Sequence, residues 1–310
     1  MSKLVMTSTK VCLIVVYLGK WPKYMNYFLK SCRTNPSIDF IFFTDNDSID
    51  YDGANIKLIP FSLAEFNTVA SRKLGWEIRV AEPYKLCDFK PLYGVLFDDY
   101  LKDYIFWGYC DIDVVFGNIR KFITKERLDK YDILSARKEF LCGHFTLFRN
   151  TKKINELFRH SADLEKVLTE PSHCYSFDEC GRLWFELLRG DSIWDCVSPI
   201  DSMTHVVRRL EKNGDIACYF ETLVSEPDKH RDKNLGMERY EEQLFWNHGT
   251  LTAPKKKREF MHFHSNILKR WRHFDVPDGV TIPDKFYISE RGFTINPFKK
   301  ILKSISLLTS

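Results

Sequence analysis

The sequence predicts an α/β protein with a mostly parallel central sheet flanked by helices. Two observations carry this. Several runs of strand length are apolar at every position, and the segments between them repeat apolar residues at helical spacing. A strand apolar throughout is buried on both faces, which is the condition of a parallel sheet covered by helices. Strand and helix in alternation supply the crossovers such a sheet needs.

Residues 1–9 read as a loose leader. Val11 to Tyr17 is the first strand, β-branched and apolar, ended by Gly19 and Pro22. From Trp21 to Cys32 the residues Tyr24, Phe28 and Cys32 fall four apart, a helical face. Phe40 to Asp45 is the second apolar run, ending in an Asp-rich loop, and Ile56 to Ile59 the third strand, stopped at Pro60. Residues 61–103 are mainly helical, punctuated by Pro83 and Pro91. A further apolar strand, Tyr104 to Cys110, runs straight into Asp111-Ile112-Asp113. Residues 114–130 give a loop and a helix; Ile133–Ala136 and Phe145–Arg149 are two more strands. Thr151 to Leu168 reads as a helix capped by Asn150 or Thr151. Short strands follow near 216–224 and 250–252, with a polar loop from Glu226 to Tyr240 between them. The last strand is Glu259 to His264.

Composition bounds the function. Of 310 residues, 44% are hydrophobic and 28% charged, which excludes a disordered chain. The longest apolar run near the N-terminus, Val11 to Leu18, is too short to span a bilayer or to act as a secretory signal. Nine cysteines, an odd number with no CxxC pair, fit buried thiols in a reducing compartment. Residues 255–310 carry 12 Lys or Arg against 5 Asp or Glu, so the basic charge gathers in the tail. Residues 298–308 are amphipathic, with Ile301, Leu302, Ile305 and Leu308 on one face and Lys299, Lys300 and Lys303 beside it. That is the pattern of an interfacial helix on an anionic membrane. No nucleic-acid motif accompanies the basic tail.

The sharpest chemical signal is Asp111-Ile112-Asp113. Carboxylates at i and i+2 directly after an apolar strand emerge at the carboxyl edge of a parallel sheet, where α/β proteins bind ligands. Hard oxygen ligands there suit Mg²⁺ or Mn²⁺ bridging phosphate oxygens. Asp178 and Glu179 are adjacent carboxylates; one would deprotonate a hydroxyl, with Asp178 as base and Glu179 as its neighbour. His262 and His264 sit two apart on one strand and share a face, near Lys269. Either can serve a metal or a phosphate. Gly143 lets a ligand approach the backbone beside His144.

The segments Tyr84-Lys85-Leu86-Cys87-Asp88-Phe89-Lys90-Pro91, Phe106 to Asp113 and Phe116-Gly117 carry a resemblance, extended by Gly143-His144, Arg149-Asn150, Phe177-Asp178-Glu179 and the His262 strand. Together they resemble bacterial surface-polysaccharide glycosyltransferases, of capsule and O-antigen type, with the GT-A fold and a DxD motif. The resemblance implies a single GT-A-like domain over 10–272, with a Rossmann-like sheet, followed by a basic extension over 273–310 with a small helix. It implies Mn²⁺ or Mg²⁺ held by Asp111, Asp113 and His262. It also implies a nucleotide-sugar, UDP-linked, contacted by Asp88, Lys90, Asp111, His144 and Lys269. The acceptor would be a glycan or lipid-linked oligosaccharide, met in the cytoplasm at the inner face of the plasma membrane. Two other readings stay open. An Asp-x-Asp-x-Val after an apolar strand also resembles haloacid-dehalogenase-type phosphatases, whose motif lies on the first strand. The fold could equally serve a non-catalytic glycan- or membrane-binding protein.

Overall fold

The computed structural model describes residues 9–47, 53–226, 243–255, 257–264, 276–277, 281–289 and 292–295. Its contacts divide the chain into two compact units that interleave along the sequence. The first comprises the described residues up to Lys20, Pro36–Ile112 and Ile123–Thr222. The second comprises Trp21–Asn35, Asp113–Phe122 and the described residues from Leu223 onward.

Numbered along the chain, the strands are β1 (Val11–Tyr17), β2 (Ile38–Thr44), β3 (Ile56–Pro60), β4 (Phe106–Cys110), β5 (Val114–Phe116), β6 (Ile133–Ser135), β7 (Phe145–Arg149) and β8 (Cys218–Phe220). They continue as β9 (Val224–Ser225), β10 (Leu244–Asn247), β11 (Thr250–Ala253), β12 (Arg258–Phe260), β13 (His262–His264), β14 (Lys285–Ser289) and β15 (Gly292–Thr294).

Among the described residues, the first unit holds a seven-stranded sheet in the order β3-β2-β1-β4-β7-β6-β8. Every pairing is parallel except the two made by β7, so a single reversed strand interrupts a largely parallel sheet. The order descends from β3 to β1 and then resumes with β4. The winding therefore reverses between β1 and β4, and the carboxyl ends at such a point form the usual ligand crevice of α/β sheets. Asp111 follows the last residue of β4.

Burial explains the uniform strands. Val11 to Val15, Phe40 to Phe43 and Phe106 to Cys110 are all buried. Trp107 stacks on Phe148 at 4.8 Å, and its Nε1 donates to Asn155 Oδ1 at 2.7 Å. Helix Leu63–Leu74 starts at a capping box, with Glu65 N donating to Ser62 Oγ and Ser62 N to Glu65 Oε2. Pro83–Leu92 is a 3-10 helix, longer than such runs usually are. Three residues per turn gives it three edges. Leu86, Phe89 and Leu92 form the edge buried in the core, Lys85 and Asp88 a second, and Cys87 and Lys90 a third.

The helix expected over Thr151–Leu168 is three pieces: Lys152–Asn155, a 3-10 turn Leu157–His160, and Leu164–Thr169. Asp201 accounts for the second break. Its backbone carbonyl accepts from Ser161 Oγ at 2.5 Å and its carboxylate from Ala162 N at 3.0 Å, so the Ala162 N–H is withdrawn from the helical ladder.

The second unit holds an antiparallel sheet β12-β11-β10-β14-β15 and a small sheet β5-β13-β9. Helix Met25–Arg33 packs here, with Tyr27 stacked on Phe293 at 3.8 Å and Phe28 near Phe116 at 6.0 Å. Asn35 is buried; it donates to Ser31 O and Gly117 O and accepts from Ile119 N. The strand expected over Glu259–His264 is two strands in different sheets. Met261 is the switch: its N donates to Leu223 O and its O accepts from Gly117 N. β14 and β15 fall within the expected 273–310 extension, yet β14 pairs with β10 in the five-stranded sheet. The interfacial helix expected at 298–308 and the leader at 1–8 lie outside the described residues.

Gly108 is the tightest position of the first sheet. A Cβ there would lie 2.2 Å from Thr146 O on β7 and 2.7 Å from a Leu147 methyl. Gly108→Ala is expected to lower the unfolding free energy by about 3 kcal/mol, the upper range for an overpacked core. A urea titration reads it, and an unchanged midpoint would contradict this packing.

Candidate functional site

In the first unit the site is built around Lys90. The third edge of the 3-10 helix carries this side chain, 9% exposed, to the carboxyl end of β4. Its Nζ donates to Asp111 Oδ1 at 2.7 Å and to Gly143 O at 2.8 Å, and pairs with Asp178 Oδ2 at 3.2 Å. The Tyr109 ring lies 5.6 Å away. Burial works to lower the Lys90 pKa, but Asp111 and Asp178 outweigh it and hold the ammonium well above its usual range.

Asp178 and Glu179 sit in a turn, not on a helix. Ser176 enters it with a left-handed φ of 56°, a strained conformation for a non-glycine residue. Glu179 Oε1 accepts from Gly143 N at 2.9 Å and its Oε2 from Trp184 Nε1 at 2.7 Å. Burial raises the pKa of both carboxyls. For Asp178, Lys90 opposes the rise and Glu179 adds to it. Two adjacent buried carboxyls do not ionise together readily, so the pair holds a proton to higher pH than surface acids do. Gly143 makes the arrangement possible, since a Cβ there would lie 2.9 Å from an oxygen of each acid.

Beneath this lies a second buried pair. Lys85 Nζ donates to Asp88 Oδ2 at 2.8 Å, Val167 O at 2.6 Å and His173 O at 2.9 Å. Asp88 also accepts from the backbone N–H of Tyr175 and Phe177, each at 2.8 Å. Asp88, expected at the nucleotide-sugar, is thus fully buried and fastens the chain that leads into Asp178. His144 is buried, its ring nitrogens 3.0 and 3.1 Å from Cys142 Sγ.

The second unit places Asp113, His262, His264 and Glu226. β13 runs antiparallel to β5 with His264 opposite Val114, the residue after Asp113. It runs parallel to β9, whose last residue, Ser225, precedes Glu226. These two registers set Asp113 and Glu226 on either side of His264. Its Nδ1 lies 2.6 Å from Glu226 Oε1, and its Nε2 is 3.8 Å from Asp113 Oδ1. The first is a hydrogen bond. The second is too long for one, and leaves an imidazole nitrogen and a carboxylate oxygen in reach of a shared cation. A carboxylate on Nδ1 is also the usual outer partner of a metal-binding histidine. Asp113 and His264 therefore fit a divalent cation. His262 is buried with its ring 5.8 Å from that of Phe116. Lys269 lies outside the described residues.

Sequence reasoning singled out neither Lys85, Trp184 nor Glu226. The period-three apolar set Leu86, Phe89 and Leu92 was a readable sign that Lys85 and Asp88 share an edge. Glu226 had no such sign, since only the pairing of β9 with β13 brings it to His264.

Fold and site define a mixed α/β protein with a largely parallel central sheet and acidic residues at its switch point. The chain belongs to the family described as "Family of unknown function (DUF6625)", which matches residues 13–297. No curated protein matches it. Among solved structures, it is similar to the galactosyltransferase LgtC in complex with donor and acceptor sugar analogs. That match has 11% identity, covers 82% of this chain and 87% of that one, and has a TM-score of 0.37. An active-site mutant of LgtC matches with the same identity, coverage and TM-score. A likeness of that extent identifies neither an activity nor a ligand. Among the described residues, no helix is long and apolar enough to cross a membrane, and no cysteine is in a disulfide.

Lys85→Met is expected to cost about 3–5 kcal/mol, because it leaves Asp88 buried without its counter-charge. The double variant Lys85→Met with Asp88→Leu should recover only the part owed to the stranded charge in the same urea assay, because the Tyr175 and Phe177 N–H groups then lose their acceptor. Proton linkage gives a second expectation. The folded Asp178 pKa lies above its unfolded value, so the folded state holds more protons. Its contribution to stability then falls as pH rises from the ordinary carboxylate range towards the raised pKa. The stability of Asp178→Asn relative to the parent should accordingly improve with rising pH, read by urea titrations from about pH 4 to about pH 8. A trend in the opposite sense would contradict the raised pKa.

Proposed function

We propose that the protein is a metal-dependent glycosyltransferase that moves a sugar from a nucleoside-diphosphate sugar to an acceptor hydroxyl. The observation that carries this is Lys90, a buried cation bound to Asp111 at the end of β4 and paired with Asp178 beside Glu179. An anionic leaving group, a cation to receive it and a buried carboxyl base are the requirements of the reaction.

Within the second unit, Asp113 and His264 would hold Mn²⁺ or Mg²⁺. His264 takes the place expected of His262, because Glu226 orients its ring. When bound, the ion supplies Lewis acidity that stabilises the charge developing on the diphosphate. Lys90, in the first unit, offers a fixed positive charge to a phosphate oxygen. Asp178 accepts the proton of the acceptor hydroxyl as its oxygen bonds to the anomeric carbon. The bond to the diphosphate breaks, and its electron pair leaves with the phosphate. The raised pKa makes Asp178 a stronger base than a surface carboxylate. Glu179 positions the turn through Gly143 and Trp184. Asp88 acts one layer further away, holding the segment before Asp178.

A UDP-sugar donor and a glycan or lipid-linked acceptor of surface-polysaccharide synthesis complete the reading. The amphipathic segment 298–308 would hold the enzyme against an anionic membrane.

A panel of nucleotide-sugars, screened by thermal shift with and without Mn²⁺, should show one donor that raises the melting temperature only with metal. Asp113→Asn and His264→Ala should abolish that shift and the release of nucleoside diphosphate. Asp178→Asn should retain the shift while lowering turnover by about 100-fold or more. Full turnover in Asp113→Asn would remove the metal assignment.

A further inference from the structure

Away from Lys90, the first unit contains a cavity of about 500 Å³, a size typical of small-molecule sites. Helix Trp184–Arg189, the turn after it, the 138–139 loop and helix Met203–Lys212 form its walls. Four cations line it: Lys138, Arg189, Arg208 and Lys212. The lining acids are already matched. Glu139 lies 3.6 Å from the buried Arg137, and Asp191 lies 3.2 Å from Arg189. Arg208 is fixed in place. Its guanidinium bonds Glu211 at 2.9 Å and Lys138 O at 2.8 Å, and lies over the Phe220 ring at 3.7 Å. Lys138 and Lys212 form no ion pair among the described residues.

The remaining wall is apolar. Leu187, Leu188 and Ile193 line it, together with Trp194, which is 49% exposed. Its ring meets His205 edge-on at 6.0 Å. An indole pairs with the apolar face of a pyranose ring, which is amphipathic in the same way. Unmatched ammonium groups beside it select a ligand that also carries negative charge. A purely apolar ligand would strand the cations, and a small inorganic anion would leave the indole and leucines unused.

We infer that this cavity binds a saccharide carrying an acid group. On the reading of the protein as a glycosyltransferase, that saccharide is part of the acceptor. Helix Trp184–Arg189 links the two places, since Trp184 at its start holds Glu179 and Leu187 to Arg189 at its end line the cavity. The acceptor class is then an acidic glycan, bound through a unit remote from its reacting hydroxyl.

The probe is a hyaluronan tetrasaccharide, whose uronates supply the charge, with maltotetraose as the neutral control. Binding to the full chain is measured by calorimetry without donor or metal, so that the transferase reading does not enter. The tetrasaccharide should bind at least about tenfold more tightly than maltotetraose, a difference of about 1.4 kcal/mol. The Lys138→Ala/Lys212→Ala variant should lose that preference, and Trp194→Ala should weaken both ligands. Inorganic phosphate at millimolar level should compete only weakly. Equal binding of the two sugars, or an unchanged preference in the double-lysine variant, overturns the inference, as does phosphate binding as tightly as the tetrasaccharide. If lysine-dependent binding persists while no nucleotide-sugar is turned over, the cavity stands as an acidic-saccharide site and the transferase reading falls. If turnover is found without any acidic preference, the inference alone falls.

Discussion

A buried ammonium cannot stand alone in a protein interior, and the Lys90 side chain is almost wholly enclosed. Its three oxygen partners hang from three different pieces of chain: Asp111 from the end of β4, Gly143 from the approach to β7, and Asp178 from a strained turn. Losing Asp111 and Asp178 together would leave the ammonium buried without a counter-charge, which costs far more than an ordinary hydrogen bond. The rest of the first unit can be understood as what keeps these three oxygens converged. Gly108 lets β4 and β7 close, the missing side chain of Gly143 admits both acids, and the Lys85–Asp88 pair fastens the segment before the turn.

The two buried lysines illustrate two uses of the same chemistry. Lys85 is spent on backbone carbonyls and one carboxylate that is itself saturated with N–H donors, so it serves position. Lys90 faces carboxyls with capacity to spare, one of them a quarter exposed, so it can exchange partners with an incoming anion. They stand on adjacent edges of one 3-10 helix, five residues apart. The helix thus works as a wedge with a structural edge and a chemical edge, both backed by Leu86, Phe89 and Leu92.

Much of the sheet was legible because its strands are apolar at every position. β1, β2, β3, β4, β6 and β7 fall where the apolar runs fall, and Asp111-Ile112-Asp113 marks the carboxyl end of β4. What was not legible depends on long-range pairing. The exchange of Met261 between two sheets leaves no trace in a continuous run such as Glu-Phe-Met-His-Phe-His. The choice between His262 and His264 turned on register: alternation puts both on one face, but only pairing with β5 and β9 says which has Asp113 and Glu226 beside it. The helix break after His160 required knowing that Asp201, far along the chain, takes the Ala162 N–H.

The 3-10 geometry of Pro83–Leu92 also bears on how such a sequence can drift. With three residues per turn, inserting or deleting one residue rotates everything beyond it by about 120°. Lys90 would then point where Phe89 or Pro91 now does, and a greasy side chain would meet the acids. A substitution alters one side chain, but a change of length re-aims every side chain beyond it. The segment is therefore constrained in count as well as in the residues that fill its two charged edges and its apolar one.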